Sequence, residues 1–292
     1  MKIGIDSYCF HRFFGEVYPG QEVPEKNLTV FEFIDFAASV GCDGVSLESC
    51  FLPGRDDETL AKIKAKLDEH GLDRVYAWGH PDGLERGQNP EAFADMKEQI
   101  RCAVAIGADV MRVCGSSLMF RHEDHQPQIE ALIAQFKEAV VIAEEAGVKL
   151  AIENHIDYTA DEIMQILEGV DSSYFGVNFD TGNFLRLLDD PIEGMRKLAP
   201  HVMATHTKDL MVDTSVPPTE WHFFAGVPVG MGLVDNLELA RILDKADFQG
   251  FMAVEIDFPH KDWTGLEEEA VRISVKKLRE ISNQVIAERN AA

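Results

Sequence analysis

Short apolar runs alternate with longer polar or amphipathic stretches along the whole chain. The runs fall at residues 2–8, 44–48, 74–78, 110–114, 149–153, 175–179, 202–207 and 251–255. Most lack a polar residue at every second place, which predicts strands buried on both faces, as in a parallel sheet. The stretches between them carry helix start and stop signals. Thr29-x-x-Glu32 and Thr159-x-x-Glu162 read as capping boxes, in which each side chain satisfies an orphan amide. Pro90, Pro127 and Pro191 sit where a first helical turn tolerates a missing N–H. Gly41, Gly71, Gly107 and Gly147 each close a helical stretch just ahead of an apolar run, at intervals of 30, 36 and 40 residues. Glycine suits the left-handed position that ends a helix, and such intervals suit one strand plus one helix, repeated. A last helix is predicted over 266–287.

Eight such units describe an α/β protein, a single (β/α)8 TIM barrel filling residues 1–292 without linker or low-complexity tract. The competing architecture is a doubly wound open sheet. Its glycine fingerprint is missing after the first strand, where Asp6-Ser7-Tyr8-Cys9-Phe10 follows instead. One long irregular stretch is expected at 208–232, holding Trp221, His222, Phe223 and Phe224. A loop of that length serves function or is an ordered surface excursion.

Composition narrows the partners. Against 27 Lys and Arg stand 51 Asp and Glu, a net charge of −24. That field repels phosphate backbones and acidic lipid, which argues against nucleic-acid and membrane partners. The five cysteines (Cys9, Cys42, Cys50, Cys102, Cys114) are odd in number and form no Cys-x-x-Cys pair, so neither a disulfide framework nor a zinc ribbon is expected. No run reaches the ~18 apolar residues of a membrane span. The opening Met1-Lys2-Ile3-Gly4-Ile5-Asp6 puts an acid where a signal peptide needs its apolar segment. These features predict a reduced, soluble, cytoplasmic protein, with a homo-oligomer or a partner subunit left open.

The chemistry gathers in the second half. The fifth strand ends Ile152-Glu153-Asn154-His155, and the sixth Asn178-Phe179-Asp180-Thr181-Gly182-Asn183. The seventh ends Thr205-His206-Thr207-Lys208-Asp209, and the eighth Val254-Glu255-Ile256-Asp257. In a barrel the C-terminal strand ends face the active site, and alternation lets one residue from each point to the axis. Three crowded carboxylates would raise one another's pKa unless a cation neutralised them. The expectation is one divalent metal on Glu153, Asp180, His206 and Glu255, manganese first, with magnesium, cobalt or zinc as alternatives. Any one of the four alone would read as an ordinary polar strand end. Four on successive strands point to a common ligand.

With these segments, and with Gly230-Met231-Gly232-Leu233-Val234-Asp235 ahead of the seventh helix, essentially the whole chain resembles the xylose isomerase-like TIM-barrel superfamily of sugar isomerases and epimerases. The resemblance implies that Glu153 and Glu255 bind metal and exchange the substrate proton, with Asp180 and His206 completing the shell. It is poor for substrate, since the superfamily also holds dehydratases, decarboxylases and lyases of keto-sugars. Two departures stand out. Asn183 occupies the place, three after the metal aspartate, where many epimerases and the endonucleases carry histidine. Arg112-Val113-Cys114-Gly115 lacks the histidine that a trinuclear zinc site would want.

Further candidates each have a plainer role beside the functional one. His155, two beyond Glu153, is a base or substrate donor, or else orients a loop. His80 faces sugar beside Trp78, or caps its turn. Lys208 polarises a carbonyl or pairs with a substrate carboxylate, or else forms an ion pair with Asp209 or another loop acid. Glu48 binds sugar hydroxyls or holds a salt bridge. Trp221, Phe223 and Phe224 form an apolar lid or anchor their loop. His11 and Arg12 reach a substrate or a neighbouring subunit.

A metal chelating a carbonyl and the adjacent hydroxyl stabilises an enediolate, which carboxylates on either side can form and reprotonate. The expected function is therefore isomerisation or epimerisation of a non-phosphorylated sugar. The alternative is a lyase on keto-sugars: a dehydratase, a decarboxylase, or an enzyme cleaving a 3-keto-glycoside or C-glycoside bond. A non-catalytic sugar-binding barrel is the third reading. It needs no paired glutamates flanking a metal.

Overall fold

The computed structural model describes residues 1–291. Its strands are β1 (Lys2–Asp6), β2 (Gly44–Glu48), β3 (Asp73–Ala77), β4 (Val110–Val113), β5 (Lys149–Glu153), β6 (Phe175–Asp180), β7 (Val202–Thr207), β8 (Asp209–Val212), β9 (Phe224–Val227) and β10 (Phe251–Val254). Eight of them close a barrel in the order β1-β10-β7-β6-β5-β4-β3-β2. All its pairings are parallel. This is a (β/α)8 barrel.

The outer helices are α1 (Val30–Ser39), α2 (Asp57–His70), α3 (Pro90–Ile106), α4 (His125–Ala146), α5 (Ala160–Val170), α6 (Asn183–Arg186), α7 (Pro191–Leu198), α8 (Asn236–Lys245) and α9 (Glu267–Ala291). Local chemistry sets their ends. Both capping boxes form, at Thr29 with Glu32 and Thr159 with Glu162, an arrangement worth about 1 kcal/mol each. Gly71, Gly107 and Gly147 close α2, α3 and α4 in the left-handed region.

The main core lies between strands and helices. A smaller cluster of Val75, Ala204, Phe251 and Ala253 sits apart from it. Phe251 fills space that a side chain on β1 or β2 would need: a Cβ on Gly4 would lie 2.4 Å from its ring, and one on Gly44 2.7 Å. Because residues two apart share a face, the positions in line with these reach Asp6, Glu48, His206 and Glu255 at the C-terminal strand ends. The interior thus runs from an apolar floor to an ionisable top.

Two expectations about local structure need correction. The first strand stops at Asp6, because the Asp6 carboxylate accepts the Tyr8 amide at 2.6 Å and starts a 3-10 helix, Ser7–Phe14. The stretch 208–232 is not irregular throughout. β8 and β9 pair there as an antiparallel hairpin, with a 3-10 turn at Trp221–Phe223 between them. Four-residue strands are too short to show a period. Among the described residues no helix is long and apolar enough to cross a membrane, and all five cysteines are free thiols.

Candidate functional site

Glu153 ends β5, Asp180 ends β6, His206 is the penultimate residue of β7, and Glu255 directly follows β10. The β6–β7 register sets Asp180 beside His206, and the β7–β10 register sets His206 beside Ala253, two before Glu255. The four side chains therefore converge, fully buried, with one donor atom from each lying within 4.8 Å of all the others. His206 Nδ1 is 2.8 Å from Glu255 Oε2, 3.5 Å from Glu153 Oε1 and 4.0 Å from Asp180 Oδ2. Nevertheless Asp180 Oδ2, His206 Nδ1 and Glu255 Oε2 make no aligned hydrogen bond. Buried polar atoms without partners are costly and need a reason. Burial, reinforced by Glu255 and Glu153, pushes the Asp180 carboxyl up to about 7. Three oxygens and one nitrogen gathered within 4.8 Å of one another, three of the four without an aligned hydrogen bond, fit a divalent cation.

Neighbouring groups fix the side chains that carry these atoms. Asp180 Oδ1 accepts the amides of Gly182 and Asn183 at 2.8 and 2.9 Å, so only Oδ2 turns inward. The Asn154 side chain accepts the Asp180 amide and donates to its carbonyl, tying β5 to β6. Asp6 Oδ2 lies 3.4 Å from His206 Nε2, on the far side of the ring from the cluster. Arg112, buried at the top of β4, sits 2.9 Å from Glu153 Oε2 and also binds Glu48. Asn183 Nδ2 donates to Glu153 Oε1 at 3.3 Å. Both Glu153 oxygens are thus engaged, and despite burial Arg112 and His206 hold its carboxyl well below the usual range.

Lys208 does not pair with Asp209. It lies 2.7 Å from Asp180 Oδ2 and 2.9 Å from Asp257 Oδ2. Asp209 points the other way and accepts the amides of Gly230, Gly232 and Val234. Asp257 in turn holds Arg186 through both oxygens.

A cavity of about 460 Å³ opens onto the cluster, and Glu48, His80, Glu153, His155, Lys208, Trp221 and Glu255 all line it. Asp180 and His206 lie outside that lining. His155 is half-buried with Nδ1 unpartnered, and desolvation lowers its pKa from the ordinary 6.5, which favours the neutral imidazole. Glu48 is pushed up to about 8, by burial against the pull of Arg112. His80 stacks on Trp78 at 5.3 Å. Phe223 and Phe224 do not line the cavity, and neither do His11 and Arg12. Arg12 is instead spent on a buried pair with Glu267, and His11 binds the Glu16 carbonyl. Sequence reasoning missed Asp6 and Asp257, and treated Arg112 only as the absence of a histidine. A charged residue amid an apolar run was the available signal for Arg112.

Comparison with known proteins agrees with this architecture. Residues 34–281 match the family model described as the xylose isomerase-like TIM barrel. An inosose dehydratase of Clostridium beijerinckii is 28% identical over 127 residues, which cover 40% of this chain and 43% of that protein. The match therefore spans less than half the length of that relative. A 3-oxo-isoapionate decarboxylase of Pectobacterium atrosepticum is 21% identical over 283 residues, 94% of this chain and 90% of that one. The crystal structure of the IolI protein with a bound zinc atom shares the fold, with a TM-score of 0.75, 16% identity, and coverage of 98% of this chain and 99% of that one. With a closed parallel barrel and a family match over most of its length, this chain belongs to the xylose isomerase-like TIM barrel family.

Proposed function

We propose that the protein is a divalent-metal-dependent enzyme that removes the proton α to the carbonyl of an uncharged keto-sugar. Glu153, Asp180, His206 and Glu255 hold the metal. Manganese suits this donor set, as do magnesium, cobalt and the zinc bound by the IolI protein. When bound, such an ion supplies Lewis-acid stabilisation of the enediolate that proton loss creates. The carrying observation is the buried cluster of three oxygens and one nitrogen, two of whose residues, Glu153 and Glu255, line the cavity.

Charge selects the substrate. Arg112 is committed to Glu48 and Glu153, and Lys208 to Asp180 and Asp257. Both cations in the lining are therefore neutralised, and its other ionisable groups include Glu16, Asp82 and Glu255. Apart from the metal itself, a phosphate or carboxylate would find no uncommitted cation there.

The proton carriers are unlike. Glu153 is clamped by Arg112 and Asn183, which removes it as a base. His155 is a neutral imidazole facing the cavity, able to take the α-proton, with Glu255 beside it. Glu48 keeps its proton up to about pH 8 and can give it away. A base and a distinct acid serve elimination: the C–H bond breaks toward His155, the electron pair enters the enediolate, and its collapse expels a β-hydroxyl as water with the proton from Glu48. Dehydration is therefore the outcome favoured by the site. Isomerisation or epimerisation is the second reading, favoured by the fact that Glu153 and Glu255 both border the cavity. Incubating the metal-loaded protein with inosose and simple ketoses in D₂O tests both. A dehydrated product supports elimination, deuterium retained in an intact epimer or isomer supports the second reading, and neither with any keto-sugar refutes the enolising step.

A further inference from the structure

Two cations border the donor cluster, and they meet it on different sides. Arg112 reaches Glu153 at Oε2, while Oε1 of the same carboxylate is the oxygen 3.5 Å from His206 Nδ1. Lys208 is placed otherwise. Its Nζ lies 2.7 Å from Asp180 Oδ2 and 3.5 Å from Glu255 Oε2, the two oxygens that face His206 Nδ1. Asp180 has no other oxygen to offer, because Oδ1 is taken by the amides of Gly182 and Asn183. Lys208 therefore stands against two of the atoms that would hold the ion.

Both ends of this buried side chain are held. Thr181 Oγ1 donates to the Lys208 carbonyl at 2.9 Å and accepts its amide at 2.8 Å, and Asn236 Nδ2 donates to the same carbonyl at 3.0 Å. A Cβ on Gly182 would lie 2.9 Å from that of Lys208, so the glycine leaves the stem its track. At the far end Nζ donates to Asn183 Oδ1 at 3.2 Å and lies 2.9 Å from Asp257 Oδ2. Asp257 is itself fixed, and its charge balanced, by Arg186 through both oxygens.

Three carboxylates outweigh one divalent ion by a single negative charge, and Lys208 supplies the positive charge that closes the difference. In a buried site, where water and salt screen little, a cation beside the donor atoms also repels the incoming ion. We propose that Lys208 is the counter-charge of the metal centre. It contests Asp180 and Glu255 with the ion, which holds affinity below what the four donors alone would give and keeps the ion exchangeable. This rests on the metal site assigned above and adds the residue that sets its strength. Asp257 is the opposing half, since it draws the ammonium away from the donors.

The test is calorimetric Mn²⁺ binding to metal-stripped protein, in the parent, in Lys208→Met, which keeps the length of the side chain without its charge, and in Asp257→Asn. Lys208→Met should tighten Mn²⁺ binding about tenfold or more and slow its release to excess chelator. Asp257→Asn should weaken binding by about as much, because Lys208 and Arg186 then stand unopposed beside the cluster. Loss of packing or hydrogen bonds alone would weaken both variants, so the opposite signs carry the inference. Equal or weaker binding in Lys208→Met with the far-UV spectrum retained, or unchanged or tighter binding in Asp257→Asn, would overturn the counter-charge while sparing the metal site. If Lys208→Met does not fold, Lys208→Gln is measured in its place against the same outcomes. A parent protein that binds neither Mn²⁺ nor Zn²⁺ would overturn the metal site and the counter-charge together.

Discussion

The two halves of the barrel mouth treat charge differently. On the side of β5, β6, β7 and β10, four ionisable side chains converge and leave three donor atoms without an aligned hydrogen bond. On the side of β1 to β4 the ionisable groups are paired or turned to support: Glu48 with Arg112, Arg112 with Glu153, Asp6 behind His206. In the function proposed above, the first side holds the ion and the base His155, and the second supports them and supplies the acid Glu48. Unpaired buried donors mark where something binds. Paired ones mark what holds the binding groups in place.

The contrast can be broken hardest by removing a converging donor. His206→Ala should cost more metal affinity than the roughly 10–100-fold typical of a supporting residue, with the far-UV spectrum of the barrel retained. Stoichiometric metal in that purified variant would show the cluster is not the binding site. Next come the proton carriers. His155→Ala and Glu48→Gln should each lower kcat by about 10²–10⁴-fold with metal content unchanged. In the parent protein kcat/KM should rise with pH as His155 loses its proton, below its ordinary 6.5 because burial disfavours the charge. It should fall again as Glu48 ionises near 8. A flat profile over that window would remove both assignments.

The support role is sharpened by Asp6→Asn, for which metal affinity should drop about 10–100-fold by calorimetry. An unchanged affinity would leave Asp6 only its contact to the Tyr8 amide. Asp157 gives a gentler effect of the opposite sign. Burial raises its carboxyl from 3.8 to about 8, so the folded state holds this proton more tightly than the unfolded state. The associated stability is complete below the unfolded value and is lost as pH rises toward 8. Asp157→Asn should therefore raise Tm by an amount that grows between pH 4 and 8; a pH-independent difference would contradict the shift. The smallest effect belongs to the helix shell: Thr159→Ala should cost about 1 kcal/mol of unfolding free energy and leave metal affinity alone.

Much of the barrel was legible because each unit carries its own local signals. Gly71, Gly107 and Gly147 close helices where a Cβ would be strained, and Thr29 and Thr159 open them. The convergence of Glu153, Asp180, His206 and Glu255 was legible for a related reason, since strand ends in a closed barrel share one rim. What escaped depends on contacts between distant segments. Arg112 meets Glu48 across 64 positions, and nothing local marks the pair. Asp6 and His206 are far apart in the chain yet meet on strands separated in the barrel only by β10. Lys208 and Asp209 misled by adjacency, because Lys208 joins β7 to β8 and turns to the site while Asp209 binds the amides of Gly230, Gly232 and Val234. The hairpin of β8 and β9 was hidden by its shortness and by the polar turn between its strands.

The orphaned donors also bear on how long a folded molecule persists. A cation that binds the native cluster and not the unfolded chain adds its binding free energy to folding, about 2.7 kcal/mol at a free concentration one hundred times Kd. Chelation should then lower Tm in proportion to the logarithm of free metal. A barrel starved of metal would populate its unfolded form more often and meet proteases sooner, so the supply of the ion would set the lifetime of the protein as well as its activity.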